Sequence, residues 1–356
     1  MKRFTFNKQF MVLMFLLLNC FASYATSEDL ITKQITIKLT EAGTLPNKIA
    51  SNKKNLVTNL KIIGEINGTD LRFIRGMAGC DTKGDSIFGN LSILDLSEAR
   101  IVEGGDYYVY INDAEPNKRY NYTHDDILGY YTFYRCWSLT SVKIPKSVKI
   151  IEEGAFYCCT SLTNVNIPSS VTEIDEWGFS DCISLTSVFI PSSVKKIKEG
   201  AFNQCISLKN IHLSSGLELI GRIAFLECTS LTTLNIPSSV TEIGEAVFYE
   251  CNNLKSIYVF AEDVPSIDTD AFKGCDSKNC IVYVPKGTND AYWLSEFGYF
   301  ENIIEFDATS IHNTIATSEV QETARYAVNG QRLTAPIKGI NLVKYSDGTV
   351  KKEFVK

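Results

Sequence analysis

The feature that most constrains the fold of this sequence is a repeat that occupies residues 133–275. Each unit contains a phenylalanine and, three residues later, a cysteine, and the step between units is 23 residues five times and then 24. The repeated residues are Phe133, Phe156, Phe179, Phe202, Phe225, Phe248 and Phe272, with Cys136, Cys159, Cys182, Cys205, Cys228, Cys251 and Cys275. A fixed period of this length is typical of a solenoid, in which each unit buries its apolar face only against its neighbours. The sequence therefore predicts a stack of similar rungs.

Each unit also contains a short segment with apolar residues at its first, fourth and sixth places. The clearest example is Leu162, Val165 and Ile167. The polar residues Asn164 and Asn166 alternate with them, which predicts a strand with one buried side. Pro168 ends the strand because it lacks a backbone donor. We expect residues 154–156 and their equivalents to form a short helical turn on the opposite, convex wall, with the phenylalanine inside.

The run Phe-x-x-Cys-x-Ser-Leu-Thr-x-Val-x-Ile-Pro-x-Ser-Val-x-x-Ile, residues 179–197, resembles the BspA-like leucine-rich repeats of surface proteins from Gram-negative anaerobes. The resemblance implies an α/β solenoid with parallel β-strands on the concave face and short helical turns on the convex face. It also implies adhesion, with host matrix proteins or other cells as the class of partner. Repeat scaffolds bind many kinds of partner, so the ligand itself stays open.

The first residues are typical of a targeting signal. Three cations precede an apolar run at residues 10–18, and small residues near Ala25 suit cleavage by a signal peptidase, so the mature chain is expected to begin near Thr26. Cleavage before Cys20 with lipidation is the alternative, although the residue before it is not small. Beyond the signal, no apolar run reaches the length of about 20 residues that a membrane-spanning helix needs.

The charge of the chain argues against nucleic acid as a partner. The net charge is −6 with 21% charged residues, and no cluster of Lys and Arg lies beyond the signal. Without a basic patch the chain has no surface suited to phosphate groups. We therefore expect an exported protein at the cell surface or outside the cell, or in the periplasm if no further sorting signal is present.

Flanking segments are expected to cap the stack, because a solenoid leaves an open apolar end and an unpaired strand edge. Alternating apolar residues predict a strand at 35–39, degenerate rungs have strands near 60–62 and 94–96, and residues 70–77 have helical spacing. Aromatic residues at 291–300 predict a helix that closes the far end. The expected division is a signal peptide (1–25), an amino-terminal cap with degenerate repeats and an insertion (26–130), the solenoid with its carboxy-terminal cap (131–307), a linker (308–322) and a small β element (323–356).

Residues 104–134 interrupt the repeat and are rich in tyrosine. An insertion of this length must loop out of a stacked array, and exposed tyrosines are favoured contact residues in interfaces. Two interpretations remain open: the rings pack over the first regular rung as part of the cap, or they bind a partner.

The tail has the turn dipeptides Asn329-Gly330 and Asp347-Gly348, which favour tight hairpins. Together with Tyr326, Arg332 and the terminal Lys356, they resemble the carboxy-terminal sorting domain of the type IX secretion system. Asn341 stands where that family usually has an aromatic residue, and the element is short. The alternative is a plain β-hairpin that packs on the last repeats.

Eleven cysteines in an exported chain would ordinarily indicate disulfides. Here one cysteine falls at the same phase of every rung, so we expect a buried column of thiols that behave as small apolar groups. Cys158-Cys159 and the Cys275 and Cys280 pair are the candidates for exceptions. The predicted core ladder consists of Phe156, Phe179, Phe202, Phe225, Phe248, Cys159, Cys182, Cys205, Cys228 and Cys251. Without a Cys-x-x-Cys pair or a Cys/His cluster, no zinc site is predicted.

No arrangement of residues predicts catalysis or a cofactor. His124-Asp125-Asp126 is the best candidate for a base with an orienting acid, but no nucleophile motif accompanies it. The chain has no phosphate-binding glycine loop and no dinucleotide fingerprint. We therefore predict a protein that is not an enzyme and has neither a cofactor nor a metal.

The candidate binding site lies on the concave strand face, where side chains between the buried residues point to solvent. The column between the fourth and sixth places holds Lys143, Asn166, Phe189, His212, Asn235 and Tyr258. A parallel row is small and polar: Ser141, Asn164, Ser187, Asn210, Thr233 and Ser256. An exposed Phe189 favours a covering partner, although single exposed apolar residues are ordinary and the ring can also fold against its neighbours.

We predict that this face binds a protein or glycan on host matrix or neighbouring cells. Two other functions stay open. Exposed aromatic residues on the strand face would favour a carbohydrate-binding surface module. A hydrolase would require its site in the tyrosine-rich insertion.

Overall fold

The computed structural model describes residues 30–112 and 118–307, and in the tail residues 322–327, 332–333, 335, 338–345 and 350–355. The predicted signal peptide, Cys20, nearly all of the predicted linker and both turn dipeptides of the tail lie outside the described residues. The strands are, in chain order, β1 (Ile35–Lys38), β2 (Asn59–Ile66), β3 (Ile93–Ile101), β4 (Gly104–Asn112), β5 (Lys118–Thr123), β6 (Ile127–Leu128), β7 (Ser141–Lys143), β8 (Ile150–Ile151), β9 (Asn164–Asn166), β10 (Glu173–Ile174), β11 (Ser187–Ile190), β12 (Lys196–Ile197), β13 (Asn210–Leu213), β14 (Leu219–Ile220), β15 (Thr233–Ile236), β16 (Glu242–Ile243), β17 (Ser256–Val259), β18 (Ser266–Ile267), β19 (Ile281–Pro285), β20 (Asn302–Phe306), β21 (Glu322–Ala327), β22 (Arg332–Leu333), β23 (Gly339–Tyr345) and β24 (Val350–Val355). The helices are α1 (Gly68–Met77) and α2 (Asn289–Trp293), with single 3-10 turns at Leu45–Asn47, Lys54–Leu56 and Glu296–Tyr299.

Eleven of these strands form one wall of a solenoid, which we call the strand wall: β1, β2, β3, β7, β9, β11, β13, β15, β17, β19 and β20. All pairs within it are parallel, as the repeat predicts. Ladder pairing is interrupted between β9 and β11 and again between β13 and β15, although the strands remain neighbours. The predicted leucine-rich repeat solenoid is confirmed.

A second wall consists of seven two-residue strands, β6, β8, β10, β12, β14, β16 and β18, stacked in parallel. We call it the short-strand wall. In β10, for example, Glu173 pairs with Lys196 of β12, and Ile174 pairs with Ile197. The isoleucines are buried, so each rung contributes one apolar side chain from this wall to the core.

The third, convex wall is made of hydrogen-bonded turns that do not continue into helix. Tyr157 N–H donates to Gly154 O (2.9 Å) and Cys159 N–H donates to Phe156 O (3.0 Å), each an i→i+3 bond. Cys158 has a φ of 58°, and the residues at the same place in the next rungs also have left-handed backbone conformations. A left-handed residue cannot continue a right-handed helix, so each turn ends there. The freed backbone groups bond between rungs, as from Phe156 N–H to Gly178 O (2.7 Å).

Phenylalanine rings stack through the middle of the solenoid. The rings of the ladder have centroids 4.9–5.7 Å apart and are buried. Phe297 and Phe300 each lie 5.1 Å from Phe272 and close the stack at the carboxy-terminal end. The helix predicted at 291–300 is present as α2 and a separate 3-10 turn, and β20 then adds a rung that the sequence did not predict.

The thiols form a second buried column beside the rings. From Cys159 to Cys275, each cysteine of the column donates a hydrogen bond to the carbonyl of the phenylalanine one rung earlier, as from Cys159 Sγ to Phe133 O (3.0 Å) and from Cys205 Sγ to Phe179 O (3.2 Å). The ten described cysteines are all free thiols, including the Cys158-Cys159 and Cys275 and Cys280 candidates. Burial raises the pKa of the column thiols, for Cys275 to about 12.

The amino-terminal cap contains the predicted strands as β1, β2 and β3 and the predicted helix as α1. Asn67 and Asp70 form a capping box that satisfies the first backbone donors of α1. Leu71, Ile74 and Met77 face the core.

Arg75, also in α1, is buried as completely as the apolar residues. Its guanidinium donates to the carbonyls of Asp81 (2.8 Å), Tyr131 (3.0 Å) and Thr132 (2.9 Å), and to Cys80 Sγ (3.2 Å). The side chain therefore ties α1 to the start of the first regular rung, and its removal would leave the buried Thr132 carbonyl without its donor.

In the tail, β21 to β24 form an antiparallel sheet in the order β22-β21-β23-β24. This agrees with the small β element that the sequence predicts for that segment. In the part of the chain that the structure describes, no helix has the length and apolar character needed to span a membrane.

Candidate functional site

The predicted column lies on the outward side of the strand wall, one residue per rung. Cα partners in the ladder are Lys143 with Asn166, Phe189 with His212, and Asn235 with Tyr258. Lys143, Asn166 and Phe189 are exposed, whereas His212, Asn235 and Tyr258 are half-buried. The alternation of apolar and polar residues thus placed all six side chains on one face.

Phe189 and His212 form a stacked pair. Their ring centroids are 4.8 Å apart and the ring planes are within 3° of parallel. Phe189 is nevertheless 53% exposed, the highest value among the described phenylalanines. Stacking on a neighbour therefore covers one face of the ring and leaves the rest of it available to a ligand.

A second stacked pair lies farther along the column. Tyr258 and Tyr283 have ring centroids 4.4 Å apart, with ring planes within 7° of parallel. Phe306 approaches Tyr258 edge-on at 6.0 Å. Tyr283 was missing from the predicted column because it follows Tyr258 by 25 residues, outside the 23-residue period, yet the two are ladder partners.

The column starts with an ion pair. Lys143 Nζ lies 3.0 Å from Asp95 Oδ2, on the neighbouring strand β3. Burial raises the pKa of Asp95, but hydrogen bonds from Ser97 and Lys143 outweigh it, and the net pKa is lowered. Lys143 is therefore engaged by the protein itself, and Asp95 is a member of the column that sequence reasoning missed because its rung is degenerate.

Beyond Lys143 this face is uncharged. The outward positions of six successive rungs hold Asn164, Asn166, Ser187, Phe189, Asn210, His212, Thr233, Asn235, Ser256, Tyr258, Ile281 and Tyr283, with no Asp, Glu, Lys or Arg. Thr233 and Ser256 hydroxyls bond to each other at 3.1 Å. Two exposed lysines, Lys209 and Lys255, precede strands β13 and β17. In a chain with 21% charged residues, six successive strands without a charged residue at their outward positions define a surface of distinct chemistry.

The tyrosine-rich insertion folds as the antiparallel hairpin β4–β5. Tyr108 is buried, its hydroxyl donates to Tyr130 O (3.0 Å), and burial raises its pKa. Tyr120 and Tyr122 are each 50% exposed, and the Tyr120 ring packs edge-on against Tyr107 at 5.0 Å. Tyr108 thus packs into the cap, as the first interpretation predicts, whereas binding of a partner by the exposed Tyr120 and Tyr122 stays a prediction.

Both aspartates of the catalytic candidate are engaged by Arg100. Its Nη2 lies 3.6 Å from Asp125 Oδ2, and its Nε lies 3.1 Å from Asp126 Oδ1. Within residues 30–112 and 118–307 and the described strands of the tail, no group of three or more His, Cys, Asp or Glu side chains is placed to hold a metal ion.

A cleft of about 350 Å³ lies beside α1 and is bordered by Lys54, Arg72 and Phe73. Both cations are engaged by aromatic rings: Lys54 Nζ lies 4.8 Å from the Phe73 centroid, and Arg72 Cζ lies 4.9 Å from that of Tyr107. The cleft is therefore built from cation–π contacts that hold the cap together.

Comparison with known proteins identifies the repeat. A family model described as the BspA type leucine rich repeat region matches residues 126–255, 179–289 and 218–325, in six copies, which together span more than half of the chain. A search of curated proteins finds no match.

Among solved structures, a leucine-rich repeat protein from T. pallidum is 26% identical over 44% of this chain and 79% of its own, with a TM-score of 0.34. One from Bacteroides ovatus is 19% identical over 80% and 74%, with a TM-score of 0.41. A leucine rich cell surface protein from Faecalibacterium prausnitzii is 18% identical over 82% and 94%, with a TM-score of 0.23.

Proposed function

The chain belongs to the BspA type of leucine-rich repeat proteins, and we propose that it is a non-catalytic protein that binds another macromolecule through its strand wall. The partner is a protein or glycan of host matrix or of neighbouring cells, so the activity is adhesion. The observation that carries this proposal is the exposure of Phe189 at 53% in the middle of an uncharged face. An aromatic ring in that setting gains free energy when a partner removes it from water.

The contrast between buried and outward positions supports the proposal. Core positions keep one residue type from rung to rung, as at Phe179, Phe202 and Phe225. The outward column changes type at nearly every rung, from Lys143 through Phe189 to Tyr258. Core packing does not restrict the residue type at the outward positions, so binding of a ligand can determine which residues occur there.

We also propose export to the cell surface. The cationic and apolar start of the chain supports secretion across the inner membrane. The tail, whose strands β21 to β24 form a small antiparallel sheet, resembles a type IX sorting domain and would direct the protein onward across the outer membrane.

The experiment that tests the binding role is a double substitution, Phe189→Ala with Tyr258→Ala, assayed against immobilised extracellular matrix and mucus. We expect affinity to fall by about 10-fold or more, which is on the order of 1.4 kcal/mol. Thermal stability should stay nearly unchanged, because both side chains lie outside the core.

The matched control is Tyr120→Ala with Tyr122→Ala, which removes two exposed rings from the hairpin β4–β5. This variant should bind as the unchanged protein does. If the control loses affinity and the first variant keeps it, the binding site is the hairpin and the proposal for the strand wall is wrong.

A further inference from the structure

Two aromatic walls face each other across Asn235 in the outward column. On one side His212 has one ring face covered by Phe189, so its other face is turned towards Asn235. On the other side Tyr258 has one face covered by Tyr283, and its other face is turned back towards Asn235. Asn235 is the short member between two long ones, so a slot lies above it. We call this the Asn235 slot.

The width of the slot suits one ring. Adjacent strands lie about 4.8 Å apart, so the rings of His212 and Tyr258, two rungs apart, are separated by about 10 Å. A ring inserted midway would lie about 5 Å from each wall, which is the spacing within the pairs, 4.8 Å and 4.4 Å. The ladder is also interrupted between β13 and β15, on one side of Asn235. On the strand wall, backbone pairing therefore does not join β13 to β15, whereas on the short-strand wall β14 and β16 of the same rungs remain paired.

The floor and rim of the slot are amide and hydroxyl groups. Asn235 Oδ1 is buried and accepts no hydrogen bond from the described residues, so no partner in the fold holds this amide, and a ligand that turns it gains an acceptor that is otherwise unused. Asn210, Thr233 and Ser256 occupy the adjoining outward positions. Such groups donate and accept hydrogen bonds without carrying charge.

The neutrality of the surface decides between classes of ligand. A phosphate, sulfate or carboxylate ligand would need a facing cation, and the outward positions of β9 to β19 contain none; the exposed Lys209 and Lys255 precede strands β13 and β17, three residues before His212 and Tyr258. A lone aromatic side chain from a protein would fill the slot but would leave the amide and hydroxyl groups of the rim unused. A hexose ring has apolar C–H faces for the two walls and hydroxyl groups for the rim and floor. It matches all three features.

We infer that the Asn235 slot binds one sugar residue of a neutral polysaccharide. The inference rests on the proposed binding role of the strand wall and names its ligand. Within each stacked pair the facing sides of the rings cover one another, and the outer face of Phe189 is opposite Asn166, without a second ring across from it. A sugar can therefore contact two ring faces at once only where the stack is broken by Asn235.

The test measures binding of the purified protein to immobilised neutral polysaccharides: dextran, α-mannan, xylan and a β-1,3-glucan. Dextran sulfate and the extracellular matrix preparation serve as anionic and protein probes. We expect binding to at least one neutral polysaccharide. Tyr258→Ala and Asn235→Ala should each weaken it by about 10-fold or more.

Asn235→Phe is the sharper variant, because it fills the slot. The new ring would complete the stack between His212 and Tyr258, so thermal stability should be equal or higher while polysaccharide binding is lost. A loss of binding in this variant cannot be attributed to unfolding.

Asn166→Ala is the matched control. Asn166 occupies the same column and also adjoins an interruption of the ladder, but only one of its neighbours, Phe189, is aromatic. Binding should change by less than about 2-fold, as for an ordinary surface substitution.

The outcomes separate the inference from the proposed function. Binding to matrix that depends on Phe189 and Tyr258, without binding to any neutral polysaccharide, overturns the inference and leaves the proposed function standing. Polysaccharide binding that Asn166→Ala and Asn235→Ala weaken equally also overturns it, since the slot then has no special role. If neither matrix nor polysaccharide depends on the strand wall, both are wrong.

Discussion

At the scale of single residues, one amino acid serves opposite purposes only thirteen positions apart. Phe202 is buried between Phe179 and Phe225, with ring centroids 5.1 Å and 5.4 Å away. Phe189 has a single stacking neighbour and is 53% exposed. The phase within the repeat, and not the residue type, determines whether the ring stabilises the fold or remains available to a ligand.

We predict that Phe202→Ala lowers the free energy of unfolding by about 3–5 kcal/mol, because a ring-sized cavity opens in a tightly packed stack. Phe189→Ala is the matched control, with the same change of side chain on the outside of the wall. It should cost less than about 0.5 kcal/mol. Denaturant titration of both variants provides the comparison, and similar losses in the two would mean that the ladder does not carry the core.

At the scale of elements, the thiol column makes the stability of the fold decrease with rising pH in the alkaline range. Burial raises the pKa of Cys182, Cys228 and Cys251 well above the usual range for a thiol. Below the pKa of an unfolded thiol, both states hold the proton and pH has no effect through these groups. Above it, the unfolded chain releases protons that the folded column retains. The unfolded state is then favoured, so stability falls as pH rises.

We predict that the free energy of unfolding decreases above about pH 9, by about 1.4 kcal/mol per pH unit for each buried thiol that ionises only on unfolding. Cys205→Ala removes one such group, so its plot of unfolding free energy against pH should be shallower by that amount. The absolute stability of the variant also changes through packing, but the slope reports the thiol alone. Parallel slopes for the two proteins between pH 9 and 10.5 would contradict the prediction.

Of the two strand walls, the sequence predicts one and not the other. The strand wall follows from apolar residues at fixed places, as in Val165 and Ile167. The short-strand wall does not, because a two-residue strand such as Glu173–Ile174 is too short to alternate. In the site, alternation placed the column, but the Asn235 slot depends on which rings stack between rungs. Tyr283 joins its pair only through a register of 25 residues, which no fixed period predicts.

At the scale of the whole molecule, the two ends of the phenylalanine stack are closed differently. The carboxy-terminal end is covered by Phe297 and Phe300 against Phe272. At the other end, beside Phe133, Arg75 of the amino-terminal cap donates hydrogen bonds to the carbonyls of Tyr131 and Thr132. In a solenoid each rung is stabilised by its nearest neighbours, so these two closures protect every rung between them. Both closures lie before residue 308.

We therefore predict that deletion of residues 325–356 leaves unfolding of the solenoid unchanged but changes the destination of the protein. The midpoint and slope of a denaturant titration should match those of the full chain, because the rungs and both closures remain. In the native host, the deleted form should accumulate in the periplasm and escape labelling by a reagent that cannot cross the outer membrane. Surface labelling equal to that of the full chain would contradict the sorting role. A lower midpoint of unfolding would instead mean that the sheet of β21 to β24 packs on the last rungs, as a plain β element would.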